Sequence, residues 1–488
     1  MNWLSEHLLL LVMLAVYSGF MVHHAWIGQR RSKTVLDYFV GGRSIAGWAV
    51  AVSFFATYSS TNTFLGFSGK SYVWGVGWFL LVPFAVVLSL FSWLFVARRL
   101  RVFTESLESV TIPDFIGFRF GSSSARVIAA VVVCFSSIIY MTAIFKGVGT
   151  LIEFLLGIPY VVAIVVVFVL VVGYTMVGGF HAVVRTDVMQ GVLMVLAAIV
   201  LFVGTARAAG GVGTLFENKE IDPELLTFEA SPPLGILLGV LFATTIKFVV
   251  EPRQLSRFYA LKDPREARKG VWISTALFLV TFSCLAPIGL YAHRIVGSGM
   301  ADTDQVVPEM LATGVFDPLA TALLFVAILA AAMSSLDSVL LVVATTCQRD
   351  LLSHFGRVKD DREVVRSTRS LVLVFALATA AVAIKPPADI VALTSFSGAL
   401  YGACFLPAIV LGLWWRRGSA ASVLASFAGG LGTLFLWPFS PWGDVLHAVF
   451  PAIAASVGAY LLLALSGPAR GEPEIDRLFS AQPSGEAS

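Results

Sequence analysis

The chain has 488 residues, of which 58% are hydrophobic and only 13% charged, with a mean hydropathy of +0.87. Soluble domains carry about 45–50% apolar residues, so this composition excludes a soluble enzyme or binding module and points to an integral membrane protein. The net charge of +3 is small, and no basic patch interleaved with aromatics suggests a nucleic-acid partner.

A membrane-spanning helix needs about 20 mostly apolar residues. Thirteen such segments are predicted in chain order, near 7–27, 44–69, 73–97, 127–156, 160–180, 186–206, 234–256, 271–293, 318–347, 370–385, 389–415, 420–438 and 444–466. Runs of this length exclude a barrel, so the fold class is all-α and polytopic. The opening MNWLSEH has no positive region and no small-residue cleavage site precedes QRRSK, so residues 1–27 read as a first span and not as a secretory signal. With the N-terminus outside, 26 of the 33 Lys and Arg fall in cytoplasmic loops. Lys70, Arg207, Lys219, Arg294 and Lys385 fall on the other face, while Lys146 and Lys247 lie within spans. That asymmetry is the positive-inside pattern and puts the C-terminus in the cytoplasm. Cys134, Cys284, Cys347 and Cys404 stand singly without metal-type spacing and read as free thiols.

The chain divides into a leading helix with its loop (1–43), five spans (44–206), an outer loop containing ENKEIDPE (207–233), five more spans (234–415), trailing helices (416–466) and a polar, disordered cytoplasmic tail (467–488). Five is odd, so the two groups of spans have opposite topology, as in transporters built from inverted repeats.

The first span of the first group, SFFATYSSTNTFLGFSG (53–69), is unusually rich in Ser, Thr, Asn and Gly. Such a segment suits either a helix interrupted near the midplane, whose freed carbonyls can ligate a hard cation, or close helix–helix packing. In AAAMSSLDSVLLV (330–342), Ala331, Ser334 and Ser335 share one helical face, and Ser334, Asp337 and Ser338 an overlapping one. A charge at a helix centre costs about 2.5–3.5 kcal/mol on insertion scales, so Asp337 is either compensated by a bound cation, protonated, or paired with a basic group. In YTMVGGFHAVVRTDVMQG (174–191), GGFHAVVR suits a cytoplasmic turn, and Asp187 opens the next span either as a helix-terminal acid or as a second buried carboxylate. Lys247 and Glu251 are one turn apart and can neutralise each other, with Pro252 interrupting the helix. Lys146 has Glu153 two turns away, too far for easy direct pairing, which makes it the better candidate for a substrate carboxylate. The alternative for both lysines is structural neutralisation or snorkelling.

Together the segments DYFVGGRSIAGWAVAVSFFAT, YTMVGGFHAVVRTDVMQG, EPRQLSRFYALKDPREARKG and AAAMSSLDSVLLV make the chain, over about 35–415, resemble the sodium:solute symporters. The resemblance implies a five-plus-five inverted repeat of the leucine-transporter type, with one leading and two to three trailing helices. It implies a sodium site of the carbonyls of Ala56, Ser59 and Ala331 with the hydroxyls of Ser334 and Ser335. It also implies a second cation site around Asp187, Ser334 and Ser338, where Asp337 adds a charge that some members lack. ATYSSTNTFLG, GVGW and GIPY read most like the pantothenate-type carriers.

The function expected is sodium-coupled import of a small organic solute, an organic anion, by alternating access, with Thr57, Asn62, Thr63, Lys146 and Lys247 around the substrate. The partners are the solute, sodium and the lipid bilayer, with no obligate protein partner. The alternatives are a symporter-like nutrient sensor and a sodium symporter for a neutral amino acid or sugar. No Ser-His-Asp, zinc or phosphate-cradle arrangement supports an enzyme.

Overall fold

The computed structural model describes residues 3–31, 35–217, 221–353, 356, 360–466 and 478–479. Most of the expected tail (467–488) and part of ENKEIDPE lie outside the described residues. Regular structure among the described residues is helical apart from one bridge pair, Ile45 with Leu261. Ten helices are long and apolar enough to cross a membrane, accompanied by three shorter apolar helices, Leu8–His24, Gly47–Tyr58 and Tyr160–Gly173.

The principal helices are α1 (Leu8–Arg31), α2 (Gly47–Tyr58), α3 (Phe67–Trp74), α4 (Ser123–Leu156), α5 (Tyr160–Ala208), α6 (Leu234–Thr245), α7 (Lys247–Val250), α8 (Pro252–Tyr259), α9 (Ala267–Leu285), α10 (Pro318–Thr346), α11 (Asp361–Ala383), α12 (Ile390–Leu406), α13 (Ala420–Leu436) and α14 (Val449–Ser466). Several begin where the sequence supplies a cap. Asp317 accepts from the amides of Leu319 and Ala320, both at 3.0 Å, with Pro318 following it, and Asp389 accepts from Ala392 N at 2.8 Å. These side chains satisfy amides that the first helical turn leaves open.

The expected turn over GGFHAVVR is a single-residue kink. Gly179 (φ 65°, ψ −178°) parts α5 into two helical limbs, the apolar helix Tyr160–Gly173 lying in the first and the candidate span Gly179–Ala208 forming the second, through a conformation open essentially only to glycine. Trp272, Leu436 and Leu462 are 74%, 70% and 69% exposed, so the outer surface is apolar in the way a lipid-facing belt must be. Inside, α2 packs against α5, α9 and α10, and α12 packs against α4 and α6. Gly398 of α12 lies so close to α6 that a Cβ there would run into the Ala243 carbonyl oxygen. Close backbone approach at small residues is how helices pack in lipid.

Two helices are interrupted. The path of α2 stops at Tyr58, Ser59 is extended (φ −66°, ψ 121°), and helical structure resumes from Asn62. The second interruption falls at Glu251 (φ −76°, ψ 126°), between α7 and α8. Its cause is Pro252, which disfavours helical backbone in the preceding residue and lacks an amide proton. Phe248, four residues before Pro252, would otherwise keep an unsatisfied carbonyl. Ser92 Oγ donates to it at 2.6 Å.

Candidate functional site at the helix breaks

The break in α2 turns carbonyls away from their helical partners. Ser60 N donates to Thr63 Oγ1 at 3.2 Å, leaving Ala56 O without its usual donor. Ser334 Oγ donates to Ala56 O and to Ala331 O, each at 2.9 Å, while Ser335 Oγ donates to Thr57 O at 2.9 Å and Ser59 O at 3.2 Å. All five residues expected around the main cation therefore meet at one point between α2 and α10, and each is fully buried. Ser59 Oγ, Thr61 Oγ1 and Asn62 Oδ1 are buried beside them with no hydrogen-bond partner among the described residues. This donor set is neutral and all oxygen, which suits a hard monovalent cation that the bilayer interior leaves otherwise uncompensated.

Asp187, Ser334, Asp337 and Ser338 also come together, but around a guanidinium. Arg257 Nη2 donates to Ser338 Oγ at 2.5 Å, to Thr57 Oγ1 at 2.6 Å and to Asp187 Oδ2 at 3.0 Å. Asp187 Oδ2 also accepts from Ser53 Oγ at 2.5 Å and Thr57 Oγ1 at 3.3 Å, while Ser338 Oγ lies 2.6 Å from Ser334 O and 3.3 Å from Asp337 Oδ1. One turn back on α8, Arg253 Nη1 donates to Thr57 O at 2.6 Å. Thr57, expected at the substrate, is thus engaged at both its hydroxyl and its carbonyl by arginines.

The two lysines exchange the roles the sequence suggested. Lys146 Nζ is 2.6 Å from Asp304 and 3.4 Å from Asp302, in the loop before α10. Its compensation is therefore a fixed pair of carboxylates, 158 residues away in the chain for Asp304, and neither Glu153 nor a required substrate. Asp304 is held in turn by the amide of Ile390 at 3.0 Å. Lys247, by contrast, is 1% exposed and has no carboxylate within ion-pair distance among the described residues. Glu251 turns instead to Arg253 Nε at 2.7 Å. Lys247 Nζ lies 4.9 Å from the Tyr140 ring centroid and 5.6 Å from that of Tyr58, and the Arg253 guanidinium lies over the same Tyr140 ring at 4.0 Å. Two basic side chains and one carboxylate are thus buried together. Asn62 and Thr63, 3% and 1% exposed, lie at the facing break.

Sequence reasoning missed Ser53, Tyr140, Arg253, Arg257 and Asp304. Arg253 and Arg257 were counted as loop charges, although both are at most 2% exposed. Their i, i+4 spacing immediately after Pro252 was the signal available, since it puts both guanidinia on one face of α8.

Paired helix breaks, one of them lined with oxygens, are the arrangement on which cation-coupled secondary transporters build their sites. The sodium:solute symporter family model matches residues 38–430. The chain belongs to the sodium:solute symporter family. It is 30% identical over 468 residues to the high-affinity proline transporter of Bacillus subtilis (strain 168), covering 94% of this chain and 98% of the relative. It is 27% identical over 463 residues to a sodium/pantothenate symporter of Haemophilus influenzae, covering 93% and 94%. Likeness thus extends to proline and pantothenate carriers together. Among solved structures, a substrate-bound, outward-open Na+-coupled sialic acid symporter superposes with a TM-score of 0.79 at 20% identity, covering 94% of this chain and 98% of that one. A nucleobase-cation-symport-1 transporter in a closed conformation gives 0.57 at 14%, covering 91% and 98%. The protein is a multi-pass membrane carrier that couples sodium to transport of a small organic solute, with no catalytic role.

Proposed function

We propose that the chain imports a small organic carboxylate with sodium by alternating access. The observation that carries the substrate class is Lys247, a basic side chain buried beside the second helix break with no carboxylate within ion-pair distance among the described residues. A buried charge persists only where something compensates it, and a substrate carboxylate entering between the breaks supplies that compensation. Tyr140 and Tyr58 position the ammonium, and Asn62 and Thr63 supply polar contacts from the facing side. Sodium binds Ala56, Ser59, Ala331, Ser334 and Ser335, and by joining α2 to α10 it favours the state that accepts substrate. The spans 44–206 and 234–415 form an inverted repeat, with the leading helix N-terminus outside and the C-terminus in the cytoplasm. Pantothenate-type monoanions fit this reading.

A second reading is a zwitterionic amino acid such as proline, favoured by the 30% identity to a proline transporter. Lys247 can hold its carboxylate equally. Uptake of radiolabelled monocarboxylates, proline and sugars into proteoliposomes, with and without a sodium gradient, separates the readings. For a carboxylate substrate, Lys247→Gln should weaken substrate binding about tenfold or more, the loss of one charge-assisted hydrogen bond. Sodium-driven uptake of a neutral sugar, or normal carboxylate affinity in the variant, would defeat the proposal.

A further inference from the structure

Three other helices converge on one nitrogen of Arg257, which projects from α8. Thr57 approaches from α2, Asp187 from the second limb of α5 and Ser338 from α10, while Ser53 of α2 donates to the same Asp187 oxygen. Arg257 is 1% exposed and Asp187 is fully buried. The Arg257 guanidinium also stacks on Phe180 at 5.0 Å, beside the Gly179 kink, so its position is fixed from the side as well. A sodium ion bridging Asp187 Oδ2 and Ser338 Oγ would need the space that Nη2 fills, since Nη2 lies 3.0 Å from the first and 2.5 Å from the second. Two cations cannot share those two oxygens, and the other carboxylate oxygen, Asp187 Oδ1, is buried without a hydrogen-bond partner among the described residues.

We propose that Arg257 is the permanent, covalently attached cation of the Asp187–Ser338 pocket, so that this carrier binds one sodium ion per chain. The inference rests on the main sodium site proposed above, one helical turn away, where the donors are neutral and no side-chain cation intrudes. Asp187 is then a positioning residue for Arg257 and not a sodium ligand. Ser338 bonds the guanidinium on one side and the Ser334 carbonyl on the other, linking the fixed cation to the exchangeable one. With a single sodium, symport of a monoanion moves no net charge and concentrates the solute no further than the sodium gradient itself.

The test is equilibrium binding of radioactive sodium to the purified full-length protein without solute. The parent should bind one ion per chain. Arg257→Ser should open the pocket and raise the count to two, and adding Asp187→Asn to that variant should return it to one. Two ions per parent chain, or one in a folded Arg257→Ser protein, overturns the proposal. Should Arg257→Ser fail to fold, Asp187→Asn alone decides. That protein should still bind one ion, and loss of an ion overturns the proposal because it makes Asp187 a ligand. Failure of the main site is distinct, because it leaves the count at one while Ser334→Ala and Ser335→Ala leave sodium affinity untouched.

Discussion

Replacing Ser335 with Ala removes one oxygen from the main cation site, and the effect on affinity is a difference between two states. With sodium bound, the loss of a contact to a charged group costs about 1.5–3 kcal/mol. Without sodium, the same hydroxyl donates to Thr57 O and Ser59 O at 2.9 and 3.2 Å, and losing an ordinary buried hydrogen bond costs about 0.5–1.5 kcal/mol. The net weakening is therefore about 1–1.5 kcal/mol, or about tenfold in sodium Kd. Ser334 is in the same position, with Ala56 O and Ala331 O as its acceptors. The double variant should fall between about tenfold and about a hundredfold, because neighbouring sites do not add cleanly. The assay is equilibrium sodium binding to purified protein without solute, with Ser426→Ala as the control, a buried serine that only bonds Val423 O in α13. A double variant that folds and binds sodium with the parent's Kd would refute the reasoning.

Asp304→Asn should loosen the contact between Lys146 and the loop before α10, and raise the rate at which a cysteine placed at Asn62 reacts with a membrane-impermeant maleimide from outside. An unchanged rate would mean that the Lys146–Asp304 pair, 2.6 Å apart, does not hold that side closed. Gly398→Ala should push α12 from α6, because the new methyl meets the Ala243 carbonyl, and a loss of about 1–3 kcal/mol is expected from overpacking. The melting temperature of the detergent-solubilised protein reads this directly, and an unaltered value would show that the helices can part at no cost.

The membrane character and the polar faces of 53–69 and 330–342 were legible because apolar run length and helical spacing are local properties. The meeting of Ala56 with Ser334 was not local; it was reached through family resemblance. Pairing of the buried charges was misjudged for a definite reason. Glu251 still bonds the Lys247 carbonyl one turn back through its amide at 3.0 Å, but the backbone at Glu251 is extended before Pro252 and its carboxylate pairs with Arg253. Lys146 found its partner in a loop distant in the chain, and no periodicity reports such a contact. Arg253 and Arg257 have the look of loop charges because their short helix, PRQLSRFY, runs directly into the charged segment that follows it.

Arg253 and Arg257 grip Thr57 at its carbonyl and its hydroxyl, both at 2.6 Å, and just beyond the ends of the same two helices Ile45 exchanges backbone hydrogen bonds with Ala260 and Lys262 at 2.9 Å. Two rods joined at separated points can neither slide nor twist against each other without breaking several charged bonds at once, each worth about 1.5–3 kcal/mol. The α2 and α8 halves therefore constitute one lever. The hinges its backbone offers are Ser59 and Glu251, the extended residues at which each half parts from the rest of its own helix. Any passage between outward and inward forms that keeps this lever whole must be taken up in the backbone torsions around those two hinges.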